Sequence, residues 1–267
     1  MGPRERIAAY APVVTAKLYA MPASHPSMAA ALMLERKGIE YRVGWLLLPF
    51  TGPMLRLSGF SARTVPALRL GGKKIQGSRR ISAALEELVP EPPLFPRDPA
   101  RRAEVEEAER WGDEVLQPAA RRIEVWQLRR DPRMVGTQLA DSRRIQGARV
   151  PINPRLAAAT SRPTIAWYAR LIGADDETVR PDLRALPAML DRIDALIATG
   201  ALGGAEPKAA DFQIAPSLSL LMTVAELRPA IEPRPAGQLA MRLVPEYPGT
   251  SAGVLPPQWL EEAGLRP

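Results

Sequence analysis

The stretch Lys17–Tyr41, KLYAMPASHPSMAAALMLERKGIEY, restricts the folds open to this chain more than any other. Lys17–Met21 predicts a strand, and Pro22-Ala23-Ser24-His25-Pro26 a tight turn. Pro26 suits the first turn of a helix, because its fixed φ is helical and its missing N–H has no partner to lose there. Ser24 stands where an N-cap belongs. Met28–Leu34 is apolar all round, which predicts a helix buried on most sides. Arg36 and Lys37 put cations at its negative end, and Gly38 suits the residue that follows the helix. Ile39, Tyr41, Val43, Trp45 and Leu47 then alternate with other residues, the period of a strand. Strand, helix and strand in this order imply a parallel pair. Ser24 and Ser27 therefore fall at the positive end of a buried helix, where free N–H groups favour an anion, a thiolate included.

Beyond this unit, Pro49, Gly52 and Pro53 break regular structure, and a short helix is expected over Met54–Leu57. Thr64–Leu70 reads as a strand with Pro66 near its start, either an edge strand or a cis-proline turn feeding a strand. Gly71-Gly72 joins it to Lys73–Gln76, a hairpin signal. Ser78 is expected to cap a helix with Ile81, Ala84, Leu85 and Leu88 on one face, stopped by Pro90. The order β-α-β-α-β-β-α is the thioredoxin-like topology. Glu91–Pro99 has four prolines in nine residues and reads as a stiff linker. After it the period is helical. Ala108, Trp111, Val115, Ala119, Ile123 and Trp126 mark a long helix that Pro118 should kink. Two more helices are marked by Leu183–Ile197 and by Phe212–Ala225, whereas Arg129–Pro163 has no clear period. The expected organisation is an N-terminal extension (1–15), an α/β domain (16–90), the linker (91–99), an all-α helical domain (100–228) and a proline-rich tail (229–267), with Trp259 and Leu260 as anchors.

Composition narrows the chemistry. The 267 residues include no cysteine and one histidine, so thiolate nucleophiles, disulfides and multi-histidine metal sites are excluded. Absence of cysteine suits a cytoplasmic setting. The net charge of +7 would permit nucleic-acid binding, but only five of the 36 basic residues are lysines, and the arginines are interspersed with acids. With few aromatics among them, a solvated basic surface is the preferred reading, with no nucleic-acid partner. No apolar run approaches the length of a membrane span, and the first residues lack the apolar region of a signal peptide.

Four segments carry a family resemblance. LYAMPASHPSMAAALMLERKGIEY, TVPAL, GSRRI and PKAADFQIAPSL, in this order, resemble segments of the cytosolic glutathione S-transferases of the serine type. That resemblance implies a thioredoxin-like domain followed by an all-helical one. It also implies glutathione as co-substrate, no metal, attack on a small electrophile in detoxification, and a homodimer. By the same resemblance Ser24 matches the serine that donates a hydrogen bond to the glutathione sulfur. Val65 matches the residue whose backbone pairs with the cysteinyl part, Pro66 the cis-proline beside it, and Ser78 the serine gripping the γ-glutamyl carboxylate. Arg63 falls near a position that contacts the glycyl carboxylate. The sequence departs from the family pattern at Gly77, where an acid or amide is usual, at Met28, and at Lys208, where Ser or Thr usually caps the buried helix. Ala20 stands near the place of the catalytic tyrosine of other classes.

A thiol with a pKa near 8.5 needs about 2.7 kcal/mol of preferential thiolate stabilisation to fall by about two units. A serine hydrogen bond and a helix N-terminus are of that order. Ser24 is then an activator, against the plainer reading of a helix cap. Ser27, one turn on, is either structural or the alternative sulfur partner; Ser-His-Pro-Ser matches a redox Cys-x-Pro-Cys turn with oxygen in place of sulfur, so disulfide exchange is excluded. His25 is expected to face solvent, Arg63 is either a ligand or one surface arginine among many, and Trp111 and Trp126 are expected in the core. The competing function is a non-catalytic binding or scaffold protein of the same fold, which Gly77 and Lys208 motivate.

Overall fold

The computed structural model describes residues 16–251 and 253–265; the expected extension over 1–15 lies outside them. Strand β1 (Ala16–Ala20) leads through the turn at 21–24 into helix α1 (His25–Arg36), and β2 (Tyr41–Trp45) returns parallel to β1, with Leu18 opposite Val43. Helix α2 (Thr51–Leu57) precedes the antiparallel pair β3 (Ala67–Leu70) and β4 (Lys73–Gln76), and α3 (Ser78–Leu88) closes the unit. β3 also runs antiparallel to β1, which gives the order β2-β1-β3-β4. This is the expected thioredoxin-like topology. The strand period sorts the side chains into two layers. Leu18, Ala20, Leu68 and Leu70 join the core that includes α1 and α3, whereas Tyr19 and Ala67 join Leu55 of α2 and Phe60.

Two local expectations change. The strand expected from Thr64 begins only at Ala67, after Pro66, which has no N–H to give a sheet partner; Val65–Pro66 is cis, so of the two readings of Pro66 the cis turn is the one found. Ser78 is not the cap of α3 but its first residue. Gly77 is the N-cap, at φ 95°, a conformation that favours glycine.

The linker is tied to the first domain by a buried cation. Lys37 Nζ donates to Glu86 Oε2 (2.5 Å) and to the carbonyls of Val89 (2.6 Å) and Pro92 (2.8 Å), while Glu86 Oε2 accepts the N–H of Leu94 (2.8 Å). The helical region follows. Helix α4 (Pro99–Trp111) runs through a π-turn segment (Gly112–Leu116) into α5 (Gln117–Arg130). The interruption lies where Pro118 withholds the N–H that the carbonyl of Glu114 needs in an α-helix. Next come α6 (Arg133–Ile145), α7 (Pro154–Thr160), α8 (Arg162–Ile172) and α9 (Asp176–Ala198), the last capped by Asp175. At the centre is α10 (Ala209–Met222), in which every residue is buried. Asp211 holds its start by accepting the N–H of Lys208 (2.8 Å) and of Gly203 (2.7 Å). Gly112 lets the π segment approach α10; a Cβ there would lie 2.9 Å from Ile214 Cγ1.

The chain then forms α11 (Arg228–Ile231), α12 (Pro235–Leu243) and α13 (Pro257–Glu262). The stretch between α12 and α13 lies along α6 and α10. Gly249 N–H donates to Asp141 (3.0 Å), and Ser251 N–H donates to the Thr223 carbonyl (2.9 Å). Trp259 anchors the end as expected, its ring 5.1 Å from that of buried Trp126, and Leu260 is buried. Trp111 is also in the core.

Candidate functional site

The cleft at the boundary of the two regions has a volume of about 980 Å3. On one side it is lined by the turn before α1, the cis-proline turn and the start of α3. On the other side α5, α6, α7 and α8 form the wall.

Ser24 lies at the cleft, 6% exposed, as N-cap of α1 with extended backbone. Its Oγ accepts the Ser27 Oγ–H (2.9 Å) and, at 3.4 Å, the Ser27 N–H. Ser24 Oγ is the acceptor in both contacts, and no acceptor for its own proton is found among the described residues. Ser27 itself lines a second cavity of about 510 Å3, between α1, β2 and the segment after α12. Arg63, Val65, Pro66 and Ser78 line the same cleft as Ser24. Gln76 organises that side. Its side chain donates to the carbonyls of Ala62 (3.0 Å) and Thr64 (2.9 Å) and accepts the Ala62 N–H (3.0 Å), so the loop that carries Arg63 is held to β4. Gly77 N–H donates to the Pro66 carbonyl (3.0 Å), joining the cis-proline turn to the start of α3.

The turn that presents Ser24 is held from distant parts of the chain. Ala23 adopts φ 55°, alone in the left-handed region among the described non-glycine residues. Its N–H donates to Gln146 Oε1 (3.1 Å) at the end of α6, and its carbonyl accepts the Tyr247 hydroxyl (2.8 Å) from the segment after α12. His25 does not face solvent. It is 3% exposed, with Nδ1 2.9 Å from Ser217 Oγ on α10. Burial, with Arg121 nearby, holds its pKa well below the ordinary range, so the ring is neutral at pH 7. The reason is the all-apolar α1, which packs its first turn onto α10 and takes His25 with it.

The opposite wall is mostly apolar, with Val125, Leu128, Ile165 and Trp167 among its residues. It also holds a polar stripe that was not anticipated: Asp113, Gln117, Arg121 and Glu124. Their spacing of four, four and three residues puts them on one helical face, a signal present in the sequence. Arg121 donates to Gln117 Oε1 (2.5 Å), and Gln138 on α6 donates to Glu124 Oε1 (2.5 Å). Burial pushes the Glu124 carboxyl up to about 7 and also raises that of Asp113. Among the described residues no group of three or more His, Asp or Glu is placed to hold a metal ion, and no helix is long and apolar enough to cross a membrane.

The sheet order, the cis-proline turn and the serine at the head of α1 are joined by a direct match. Residues 18–93 match the family model of the glutathione S-transferase N-terminal domain. Through these residues the first domain is similar to the N-terminal domain of the glutathione S-transferases. Solved structures extend the likeness over both regions of this glutathione S-transferase fold. Glutathione transferase F7 from Populus trichocarpa is 18% identical, with 94% of this chain and 98% of that one covered and a TM-score of 0.57. FzlA from C. crescentus is 22% identical (86% and 88% covered, TM-score 0.51). A maleylacetoacetate isomerase from Anaeromyxobacter dehalogenans, with dicarboxyethyl glutathione and citrate bound in its active site, is 20% identical (86% and 89% covered, TM-score 0.51). No curated protein matches the chain. At these identities the structures attest the fold of the glutathione S-transferase region and its helical companion.

Proposed function

We propose that the protein binds glutathione in the cleft and, through Ser24, activates its thiol for attack on a small electrophile. The observation that carries this reading is the state of the Ser24 hydroxyl. Its oxygen already accepts from Ser27, so its proton is free for a sulfur at the positive end of α1. Val65 and Pro66 present backbone for the cysteinyl part of glutathione. The start of α3 at Ser78 offers amides to the γ-glutamyl carboxylate, and Arg63 offers its guanidinium to the glycyl carboxylate. Ser27 supports Ser24 and does not contact the sulfur. The apolar wall receives the electrophile. A cytoplasmic homodimer with a detoxifying role is part of the same proposal.

The test is a titration of the glutathione complex, following thiolate absorbance against pH. Wild type should show a thiol pKa below that of free glutathione, and Ser24→Ala should raise it by about 1–2 units, the worth of one hydrogen bond to a charged group. An unchanged pKa in Ser24→Ala would sink the activation role. A second reading, a binding protein without turnover, is favoured by one observation: Gly77 has no side chain to meet the glutathione amino group, and its φ of 95° favours glycine. Glutathione bound with an unshifted pKa would select that reading.

A further inference from the structure

The sheet carries a feature that the cleft does not use. Strand pairing sets Lys17 of β1 opposite both Arg42 of β2 and Arg69 of β3, and sets Arg69 opposite Lys74 of β4. Directly paired residues share a face, so the four cations form one row across all four strands. The face is that of α2: the Lys17 ammonium lies 4.8 Å from the centre of the Tyr19 ring, and Tyr19 packs with Leu55. Two glycines make room for the row. A Cβ on Gly44 would lie 3.0 Å from Lys17 Cε, and one on Gly59 would run into the Lys74 ammonium. All four side chains are exposed, and none lines either cavity. No ion pair among the described residues includes any of them, and Glu40, the acid nearest in sequence, joins none. Elsewhere cations sit beside acids, as Arg110 does between Glu107 and Glu114. Like charges directly opposite one another destabilise a sheet, so a row of four without a carboxylate is a cost that solvation alone does not explain.

The row runs from Arg42 on edge strand β2 to Lys74 on edge strand β4, a span of about 14 Å at about 4.8 Å per strand. At the Lys74 side it meets the end of α2, where Arg69 donates to the Ser58 carbonyl (2.9 Å). Leu57, beside Ser58, is 85% exposed, and Met54, one turn back, is 46% exposed. The sheet and the end of α2 thus form a step with a cationic floor and an apolar wall. We infer that this step docks an acidic amphipathic helix of a partner protein, laid across the strands with carboxylates on the row and an apolar residue against Leu57. The repeat of the charges selects among anions. A helix presents side chains along one face at about 5.4 Å per turn, close to the strand spacing. An extended peptide repeats on one side at about 6.7 Å and is out of step by the fourth cation. A flat anionic lipid surface is held off the floor, because a helix about 10 Å across stands on the same face. For a single-stranded nucleic acid, the ring among the cations is that of Tyr19, which is buried and offers no platform for a base. The inference does not rest on thiol activation: Lys17 stands near the start of β1, and Ser24 follows its end.

The experiment follows fluorescence anisotropy of a labelled alanine-based helical peptide with one Leu and with Glu at alternating three- and four-residue steps. Its comparison ligands are the same peptide with Gln for Glu, a peptide of the same charge made non-helical by proline, duplex DNA and phosphatidylserine vesicles. The acidic helix should bind the full chain most tightly, and added salt should weaken it. Lys17→Gln with Arg69→Gln should weaken binding by about 5- to 30-fold, the loss of two exposed charge pairs. Arg155→Gln with Arg162→Gln removes the same charge from exposed positions on α7 and α8 and should change binding by less than about 2-fold. If the first pair does not fold, Arg42→Gln with Lys74→Gln, at the two ends of the row, should give the same loss. Equal binding by the row variant and wild type, an equal loss in the α7–α8 variant, or no binding of the acidic helix overturns the inference. Tighter binding of the DNA, the vesicles or the non-helical peptide overturns it too. So does self-association in sedimentation that the row variant abolishes, since the occupant would then be a second copy of this chain.

Discussion

Ala23 shows how much one residue is held against its preference. A left-handed alanine costs about 1–2 kcal/mol relative to the right-handed regions, and its amide and carbonyl are held by Gln146 and Tyr247. Ala23→Gly should therefore lie within about 1 kcal/mol of wild type in chemical denaturation, and Ala23→Val should cost about 2 kcal/mol or more, because a β-branched residue is least tolerant of this φ. Tyr247→Phe leaves a buried carbonyl without its donor and should cost about 1–3 kcal/mol. His25 marks a limit of reading residues from sequence. Next to a turn and beside a proline it reads as exposed; its burial depends on Ser217, 192 positions away. Glu124 is a similar case. It lies on a helix whose apolar period reads as core, and only the polar stripe from Asp113 to Glu124 shows that this face borders a cleft.

At the scale of elements, the first domain was legible because each signal was local: alternation for β1 and β2, a cap and a proline for α1, a glycine pair for the β3–β4 hairpin. The second region was less so, for a physical reason. Its prolines read as breakers, yet Pro99, Pro154, Pro163, Pro229, Pro235 and Pro257 all stand in the first turn of helices α4, α7, α8, α11, α12 and α13. There the missing N–H removes nothing. A sequence rich in proline thus yields many short helices, and the stretch from 129 to 163 that lacked a clear period holds α6, α7 and the start of α8. One element junction depends on a single carboxylate. The Lys37 side chain is fully buried, and Glu86 is its counter-charge and also accepts the N–H of Leu94. Glu86→Ala should cost about 3–5 kcal/mol, since it leaves a buried cation without its anion. Denaturant unfolding measures this, and a loss under about 1 kcal/mol would mean that the carbonyls of Val89 and Pro92 suffice.

For the molecule as a whole, pH acts most through two buried carboxyls, which burial raises further than Asp113 and Asp211. Burial raises Glu109 and Glu124 to about 7 each. Glu109 accepts the Ser82 hydroxyl (2.5 Å) and so joins α3 to α4. Between about pH 4.5 and 7 the folded protein holds protons on these groups that the unfolded chain has released. Each of these groups therefore makes stability fall as pH rises through that window, by up to about 1.4 kcal/mol per unit, while His25, neutral in the fold, works against them below its ordinary pKa. Glu262 acts elsewhere: Arg180 and Arg184 hold it down to about 2, so its contribution is lost only as acid is added below the window. Thermal unfolding at pH 5 and pH 7.5 should show the decline in wild type, and Glu109→Gln should flatten it. An equal decline in both would remove Glu109 from this account.

The clamp on Ala23 also has a consequence for the birth of the protein. The turn that presents Ser24 is among the first parts of the described chain to leave the ribosome, and Tyr247, which holds it, follows 224 residues after Ala23. A nascent chain can complete its first sheet early, but the turn that carries Ser24 waits for Tyr247 before it is fixed in place. A polypeptide released before Tyr247 would have the sheet without the held turn.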